Sequence, residues 1–176
     1  MARIKTVVSN PSGSTPDREV GRAIFAKTCQ QCHTLFGTGG KVGPDITGAN
    51  RANVDYLLSN IVDPSAVMAK EYQPSIIVTK DGRVITGIVR QEDQFTKGPL
   101  EVVTPEQLLI VALTDIEERK LSDKSMMPDD LLRNLTDSEV RSLFAYLQGA
   151  GQTPLRANRD NVTNFFNGQD LPNWVG

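Results

Sequence analysis

Hydrophobic and polar residues follow two different periods along this chain, and the change of period separates helical from extended segments. Apolar residues recur every three to four positions over 17–28 and again over 53–62, which predicts two amphipathic helices. The residues Thr136-Asp137-Ser138-Glu139 form a capping box, so we expect another helix from there to about Gly149. Helices are therefore predicted on both sides of the middle of the chain.

The middle of the chain has the β-branched composition that is typical of strands. Two such runs, 75–79 and 84–90, flank Asp81-Gly82, a dipeptide that strongly favours a β-hairpin. Further strands are predicted over 100–104, 108–113 and 115–119. We expect a small antiparallel sheet inserted at about 73–119 between the helical segments, with a packing role and no chemistry of its own.

The run Cys29-Gln30-Gln31-Cys32-His33 contains the only two cysteines and the only histidine of the chain. Two thiols at this spacing can form thioether bonds to the two vinyl groups of one porphyrin, and the adjacent histidine then ligates the iron. A structural zinc site needs four ligands, whereas this run offers three. The run therefore predicts one covalently attached haem c, and a redox-active dithiol is the main alternative.

Composition excludes several classes of partner. The chain has 19 basic and 21 acidic residues, a net charge of -2 and no basic run, so we expect no nucleic-acid partner. No apolar stretch approaches the ~20 residues that span a bilayer.

The segment 1–8 lacks the apolar core of a secretory signal. Because covalent haem attachment is completed outside the cytoplasm, we expect a periplasmic or otherwise extracytoplasmic protein whose leader is missing here.

We divide the chain into three parts. Residues 1–15 are predicted to be a flexible tail, since 9–15 are rich in Ser, Gly and Pro. Residues 16–150 form the haem domain, and 151–176 a linker and the start of a truncated second domain. Inside the haem domain, the glycine-rich stretch 34–53 is too long for a simple turn, so we expect an irregular loop wrapped around a larger object.

Taken in order, these signals resemble a class I cytochrome c. The matching residues, from the first helix to the last, are Gly21, Phe25, Gly43-Pro44, Met127-Pro128 and 143–147. With the sheet included, the chain is also similar to haem-binding domains of planctomycetes and verrucomicrobia. The resemblance implies a mainly α fold of the class I cytochrome c type, with helices around one covalently bound haem. The small antiparallel β insert would lie between the middle helices and the methionine loop.

The resemblance also assigns roles to residues of the site. It implies that Cys29 and Cys32 hold the haem and that His33 ligates its iron. The Pro44 carbonyl would accept a hydrogen bond from the other imidazole nitrogen and so orient the ring. Arg51 would reach a haem propionate or, alternatively, remain a solvated loop arginine.

The sixth iron ligand is expected to be a methionine, because His33 is the only histidine and ligation by two histidines within the chain is excluded. Met127 precedes Pro128 as in the family's Met-Pro loop, and it is the predicted ligand. Its neighbour Met126 stays open as the alternative, since spacing does not separate adjacent methionines. Met68 is expected to fill the core. A thioether ligand favours ferrous iron and raises the reduction potential.

These assignments predict an electron-transfer domain that is not itself an enzyme and that exchanges electrons with a redox partner protein. The alternative is a haem-based gas sensor whose methionine is labile or absent, and a haemless interaction domain is a third hypothesis. The tail residues 166–171, with Trp174, resemble the opening strand of the 3-keto-glycoside hydrolases. If that resemblance holds, the domain is a module of a larger redox or sugar-processing protein and its partner is a sugar dehydrogenase. Otherwise the tail is a strand or loop that covers the haem domain.

Overall fold

The computed structural model describes residues 2–10, 13–90 and 98–154. These ranges contain four helices: α1 (Ala2–Ser9), α2 (Arg18–Thr28), α3 (Val54–Val62) and α4 (Asp137–Leu147). They also contain seven strands: β1 (Thr34–Leu35), β2 (Thr38–Gly39), β3 (Ser75–Thr79), β4 (Val84–Val89), β5 (Leu100–Val103), β6 (Leu108–Val111) and β7 (Ile116–Leu121). The tail residues 166–171 and Trp174, with the second domain predicted from them, lie outside the described residues.

The helical part of the molecule is built on the crossing of α2 and α4. Gly21 permits the close approach, because a Cβ atom there would overlap the Ser142 carbonyl oxygen and lie 2.8 Å from the Cβ atom of Tyr146. The rings of Phe25 and Tyr146 pack with their centres 5.5 Å apart, and both side chains are fully buried. None of the described helices is both long and apolar enough to cross a membrane.

Helix α1 occupies most of the segment that the sequence predicts as a flexible tail. Its apolar side chains pack against the helical core: Ile4, Val7 and Val8. Two exposed ion pairs join it to neighbouring helices, Arg3 with Asp137 at 2.6 Å and Lys5 with Asp55 at 2.7 Å. Exposed pairs contribute little, so the packing of the apolar face supplies most of the stability of this short helix.

The middle of the chain forms a five-stranded antiparallel sheet with the strand order β6-β5-β4-β3-β7. The predicted hairpin is confirmed, since β3 pairs with β4 and Ile77 lies opposite Ile85. Gly82 in its turn has a φ angle of 83°, a left-handed conformation that favours glycine. The sheet has an apolar core of its own: Ile77, Ile85, Leu100, Val102 and Val111.

The prediction of a mainly α fold of the class I cytochrome c type is wrong. The described helices are accompanied by a five-stranded sheet that extends from Ser75 to Leu121 and encloses a second apolar core. The physical reason lies in the β-branched runs, which bury one face of a sheet large enough to be stable beside the helices. The resemblance to helical cytochromes led to the prediction that this sheet is a minor insert, whereas the fold mixes helices and strands.

The two ends of the sheet are tied together where they meet the helical part. The Ser122 N–H donates to the Pro74 carbonyl at 2.8 Å, and the Gln73 amide donates to the Ser122 carbonyl at 3.0 Å. The chain therefore enters and leaves the sheet at neighbouring points.

Candidate functional site

The Cys-x-x-Cys-His run continues directly from the end of α2. Cys29 caps the helix, and its N–H donates to the Phe25 carbonyl at 2.8 Å. The next turn is closed by the N–H groups of Cys32 and His33, which donate to the Cys29 carbonyl at 3.1 and 2.9 Å. Two thiols and an imidazole thus share one short stretch of backbone, and the buried Phe25 ring anchors it to the helical core.

The His33 ring is held by the loop that follows it. Its Nδ1 atom lies 3.0 Å from the Pro44 carbonyl oxygen, and since a carbonyl only accepts, Nδ1 carries the proton. This is the hydrogen bond that the family resemblance implies. Gly43 lies against the ring, because a Cβ atom there would be 2.6 Å from the Cε1 atom of His33. Burial lowers the pKa of His33, and the bond to Pro44 opposes this. The ring is therefore neutral at pH 7, with its lone pair on Nε2.

Backbone hydrogen bonds fold the glycine-rich loop onto the Cys-x-x-Cys-His run. The Gly40 N–H donates to the Gln30 carbonyl at 2.7 Å, and the Gly43 N–H donates to the Cys32 carbonyl at 2.8 Å. Gly40 allows this approach, because a Cβ atom there would overlap the Gln31 carbonyl oxygen. The loop is therefore ordered by the run that it surrounds.

Both cysteine side chains are free thiols and are half-buried. Burial raises the pKa of Cys29 to about 12, and the nearby Cys32 adds to the effect. The pKa of Cys32 is also raised, first by burial and then by the negative charge of Glu106. Both groups are protonated at neutral pH, so reactions that need a thiolate, such as disulfide exchange, are disfavoured in this turn.

Arg51 bonds to backbone carbonyls of the loop and of the end of α4. Its Nε and Nη2 atoms donate to the Thr47 carbonyl at 3.2 and 2.9 Å. Its Nη1 atom donates to the Gly149 carbonyl at 2.9 Å and also to that of Leu147. The guanidinium carbon lies 4.8 Å from the centre of the Phe36 ring. Arg51 thus braces the site, and its contact with a haem propionate stays a prediction.

Met126 and Met127 lie side by side in the loop between β7 and α4, and both are half-buried. Ser125 anchors this loop, since its N–H donates to the Ser65 hydroxyl at 3.1 Å. The Met127 N–H donates to the Ser125 hydroxyl at 3.1 Å. The methionine loop is therefore tied to the segment after α3. These contacts do not separate the two methionines, so Met127 as sixth ligand, with Met126 as the alternative, stays a prediction.

The sheet touches the Cys-x-x-Cys-His run at the turn between β5 and β6. The Gln31 amide donates to the Pro105 carbonyl at 3.2 Å, and the charge of the adjacent Glu106 acts on the Cys32 thiol. This contact was not predicted, because Gln31 and Pro105 are 74 residues apart and neither carries a local signal for it. The sheet therefore takes part in the surroundings of the site.

The residues of the site fit a covalently bound haem. Among the described residues, no hydrogen-bond donor occupies Nε2 of His33, so its lone pair is available to iron. Cys29 and Cys32 are unpaired thiols in the same turn, and Gly43 leaves space for the ring that Pro44 orients. A bare metal ion fits less well, because the described part of the chain has no cluster of three or more His, Cys, Asp or Glu side chains that could hold one.

Residues 16–75 match the family model described as cytochrome c oxidase, cbb3-type, subunit III. The match covers about a third of the chain, from before α2 to the first residue of β3. It includes the Cys-x-x-Cys-His run and Pro44, and it supports a c-type cytochrome with haem-based electron transfer. It lends no support to the narrower resemblances, to planctomycete-type domains and to a 3-keto-glycoside hydrolase tail. No curated protein matches the chain.

Proposed function

We propose that this chain is a monohaem c-type cytochrome domain that carries single electrons. Cys29 and Cys32 would hold the haem covalently, and His33 and Met127 would ligate its iron. The observation that carries the proposal is the hydrogen bond of 3.0 Å between His33 Nδ1 and the Pro44 carbonyl, in the same turn as two free thiols. This bond leaves the other ring nitrogen, Nε2, unprotonated and available to iron.

Attachment requires both cysteines in the reduced form. Each S–H group would add across one vinyl double bond of the haem, with sulfur bonding to one carbon and hydrogen to the other, so no oxidant would be consumed. Burial keeps the pKa of Cys29 at about 12, which preserves the thiol against oxidation before attachment. A bound haem supplies a one-electron iron couple whose potential depends on its axial ligands.

Pro44 acts through His33. The bond from Nδ1–H to the Pro44 carbonyl fixes the tautomer and the orientation of the ring, and it raises the basicity of Nε2. A more basic imidazole favours ferric iron, whereas the thioether of Met127 favours ferrous iron. The two side chains therefore shift the reduction potential in opposite directions.

We place the domain outside the cytoplasm, where c-type cytochromes are matured. In this proposal it is an electron-transfer module of a larger redox or sugar-processing protein and has no catalytic activity of its own. The resemblance of the C-terminal tail to sugar-active domains makes a sugar dehydrogenase the first donor to test. If purified sugar dehydrogenases do not reduce the domain, that donor is excluded and another redox protein must be sought.

Optical spectra of the oxidised and reduced protein test the ligand set. We expect the wild-type protein to have a methionine–ferric charge-transfer band and, when reduced, to give no rapid spectral change with CO. Met127→Ala should lose the band and bind CO, while Met126→Ala should keep both wild-type properties. Loss of the band in Met126→Ala alone would assign the ligand to Met126. Rapid CO binding by the wild-type protein would instead indicate a gas sensor.

A further inference from the structure

The sheet carries an apolar surface that neither the fold nor the haem site explains. Leu108 and Ile110 on the edge strand β6 are 53% and 59% exposed. Strand β6 follows the turn that contacts the Cys-x-x-Cys-His run, where Pro105 accepts the hydrogen bond from Gln31. Two large apolar side chains therefore lie beside the attachment site of the haem, where exposure to water has an energetic cost.

Strand register shows which face of the sheet this surface belongs to. Leu108 lies opposite Val103 on β5, and Val103 lies opposite Ile88 on β4, so the three side chains share one face. Ile88 and Val103 are buried, and Ile88 lines a cavity of about 250 Å³ together with Val42 of the glycine-rich loop. This face is therefore buried at Ile88 and Val103 and becomes exposed at Leu108, on the edge strand.

Acidic groups border the apolar side chains. Glu106 is exposed in the turn that precedes β6, and Glu101 lies opposite Ile110 on the same face. Arg90 follows β4 and lies next to Glu101, since its N–H donates to the Glu101 carbonyl at 2.9 Å. Its guanidinium donates instead to the carbonyl of Lys41, which lines the cavity. The group formed by Leu108, Ile110, Glu101 and Glu106, which we call the hairpin patch, is therefore apolar with two carboxylates at its border.

We propose that the hairpin patch is the docking surface for the redox partner, and that this partner is a protein whose own apolar patch is ringed by lysine or arginine side chains. The inference rests on the proposed function. Charge complementarity selects the partner, since basic residues around an apolar centre pair with Glu101 and Glu106 and steer the encounter. A second copy of this chain fits poorly, because a symmetric contact would bring the same carboxylates together.

The position of the hairpin patch suits transfer of an electron. Its turn contacts Gln31, between the two cysteines that hold the haem, so a docked partner lies next to the point of attachment. A small apolar contact with a charged border is typical of weak, short-lived redox complexes. In the reaction, one electron passes from the reduced cytochrome to the acceptor, which is thereby reduced. No bond is formed or broken, and no proton is transferred.

The test uses the full-length, haem-loaded protein and two blue-copper proteins as acceptors, one with lysines around its apolar copper-edge patch and one with acidic residues there. Stopped-flow mixing measures the second-order rate at which the reduced cytochrome converts copper(II) to copper(I). The double variant Leu108→Ser/Ile110→Ser should react with the lysine-ringed acceptor about tenfold more slowly than the wild type. Glu106→Gln should slow the reaction with the same acceptor about threefold at low ionic strength, and the rate should then depend less on salt.

The matched control is Leu121→Ser, because Leu121 is 62% exposed on β7, the opposite edge of the same sheet. It should leave the rate within about twofold of the wild-type value. All variants should react unchanged with hexaammineruthenium(III), a small acceptor that needs no docking surface. With both proteins reduced no electron moves, so calorimetry then reports docking alone, and the double variant should weaken it by about the same factor as it slows the reaction.

Each outcome separates this inference from the proposed function. The docking surface would be refuted if the double variant reacted as fast as the wild type, or if Leu121→Ser lost as much rate as the double variant. Either result would leave electron transfer intact. A wild-type dimer that the double variant dissociates, with no change in rate, would make the patch a contact between copies and also refute it. A wild-type protein that does not react even with hexaammineruthenium(III) would instead refute the electron carrier itself.

Discussion

His33 donates its Nδ1 hydrogen to the carbonyl oxygen of Pro44 over a distance of 3.0 Å. The bond joins the last residue of the Cys-x-x-Cys-His run to the loop that surrounds it. Gly43 makes this possible, since any side chain there would meet the imidazole ring. The orientation of the ring thus depends on one backbone carbonyl and on the absence of one side chain.

We expect Gly43→Ala to move the imidazole and weaken its bond to Pro44, because the new methyl group would lie 2.6 Å from Cε1. A weaker bond makes the ring less basic, so the reduction potential of the haem-loaded protein should rise. The unfolding free energy should fall by about 1–3 kcal/mol. Gly48→Ala is the control, since nothing lies within 4 Å of its Cβ position. Equal potentials in the two variants would contradict the prediction.

Arg51→Met should lower the free energy of unfolding by about 2–3 kcal/mol, because partly buried carbonyls at the end of α4 lose a charged donor. The carbonyl of Gly149, at 2.9 Å, is one of them. Denaturation by urea measures the effect. Arg83→Met is the control, since Arg83 forms an exposed pair with Asp81 and should matter little. A variant as stable as the wild type but with a shifted reduction potential would favour a propionate contact instead.

In the haem-free chain, alkylation of Cys29 by iodoacetamide should be slow at pH 8, because a pKa of about 12 leaves almost no thiolate. The rate should rise about tenfold per pH unit between pH 7 and 10, since the thiolate fraction grows in that proportion. Peptide mass spectrometry follows each cysteine separately. The same chain in urea is the control and should react at the rate of an ordinary cysteine. A rate that levels off near pH 9 without urea would show that the thiol is not buried.

Gly21→Ala should destabilise the crossing of α2 and α4 by about 1–3 kcal/mol, because both groups that the methyl would meet are fixed parts of α4. They are the Ser142 carbonyl and the Cβ atom of Tyr146. Gly151→Ala is the matched control, since its Cβ position has nothing within 4 Å. Thermal or urea unfolding of the two variants compares them. Equal stability would mean that the helices do not approach as closely as described.

Local signals in the sequence predicted the elements that depend on neighbouring residues. The capping box is formed, since Thr136 and Glu139 bond to each other's backbone N–H groups at the start of α4. The β3–β4 turn forms at Asp81-Gly82, where glycine accepts the left-handed conformation. The Pro44 contact was predicted through the family resemblance, which supplied a pairing that spacing alone does not give.

The rest depended on contacts between distant residues. Helix α1 is too short to be stable alone and forms because it packs on α3 and α4, so its sequence looked like a tail. The position of the sheet was predicted, but its share of the fold was underestimated, because its apolar core joins residues as far apart in the sequence as Ile77 and Val111. The contact of Pro105 with Gln31 arises only when the two parts of the fold meet.

Covalent attachment of one haem through Cys29 and Cys32 is the central claim, and acid-acetone extraction of the matured, denatured protein tests it most directly. We predict that the pigment stays with the polypeptide and that the intact mass exceeds that of the chain by one haem. The double variant Cys29→Ser/Cys32→Ser should show neither property. Complete extraction of the pigment from the wild-type protein, with the mass of the bare polypeptide, would contradict the account.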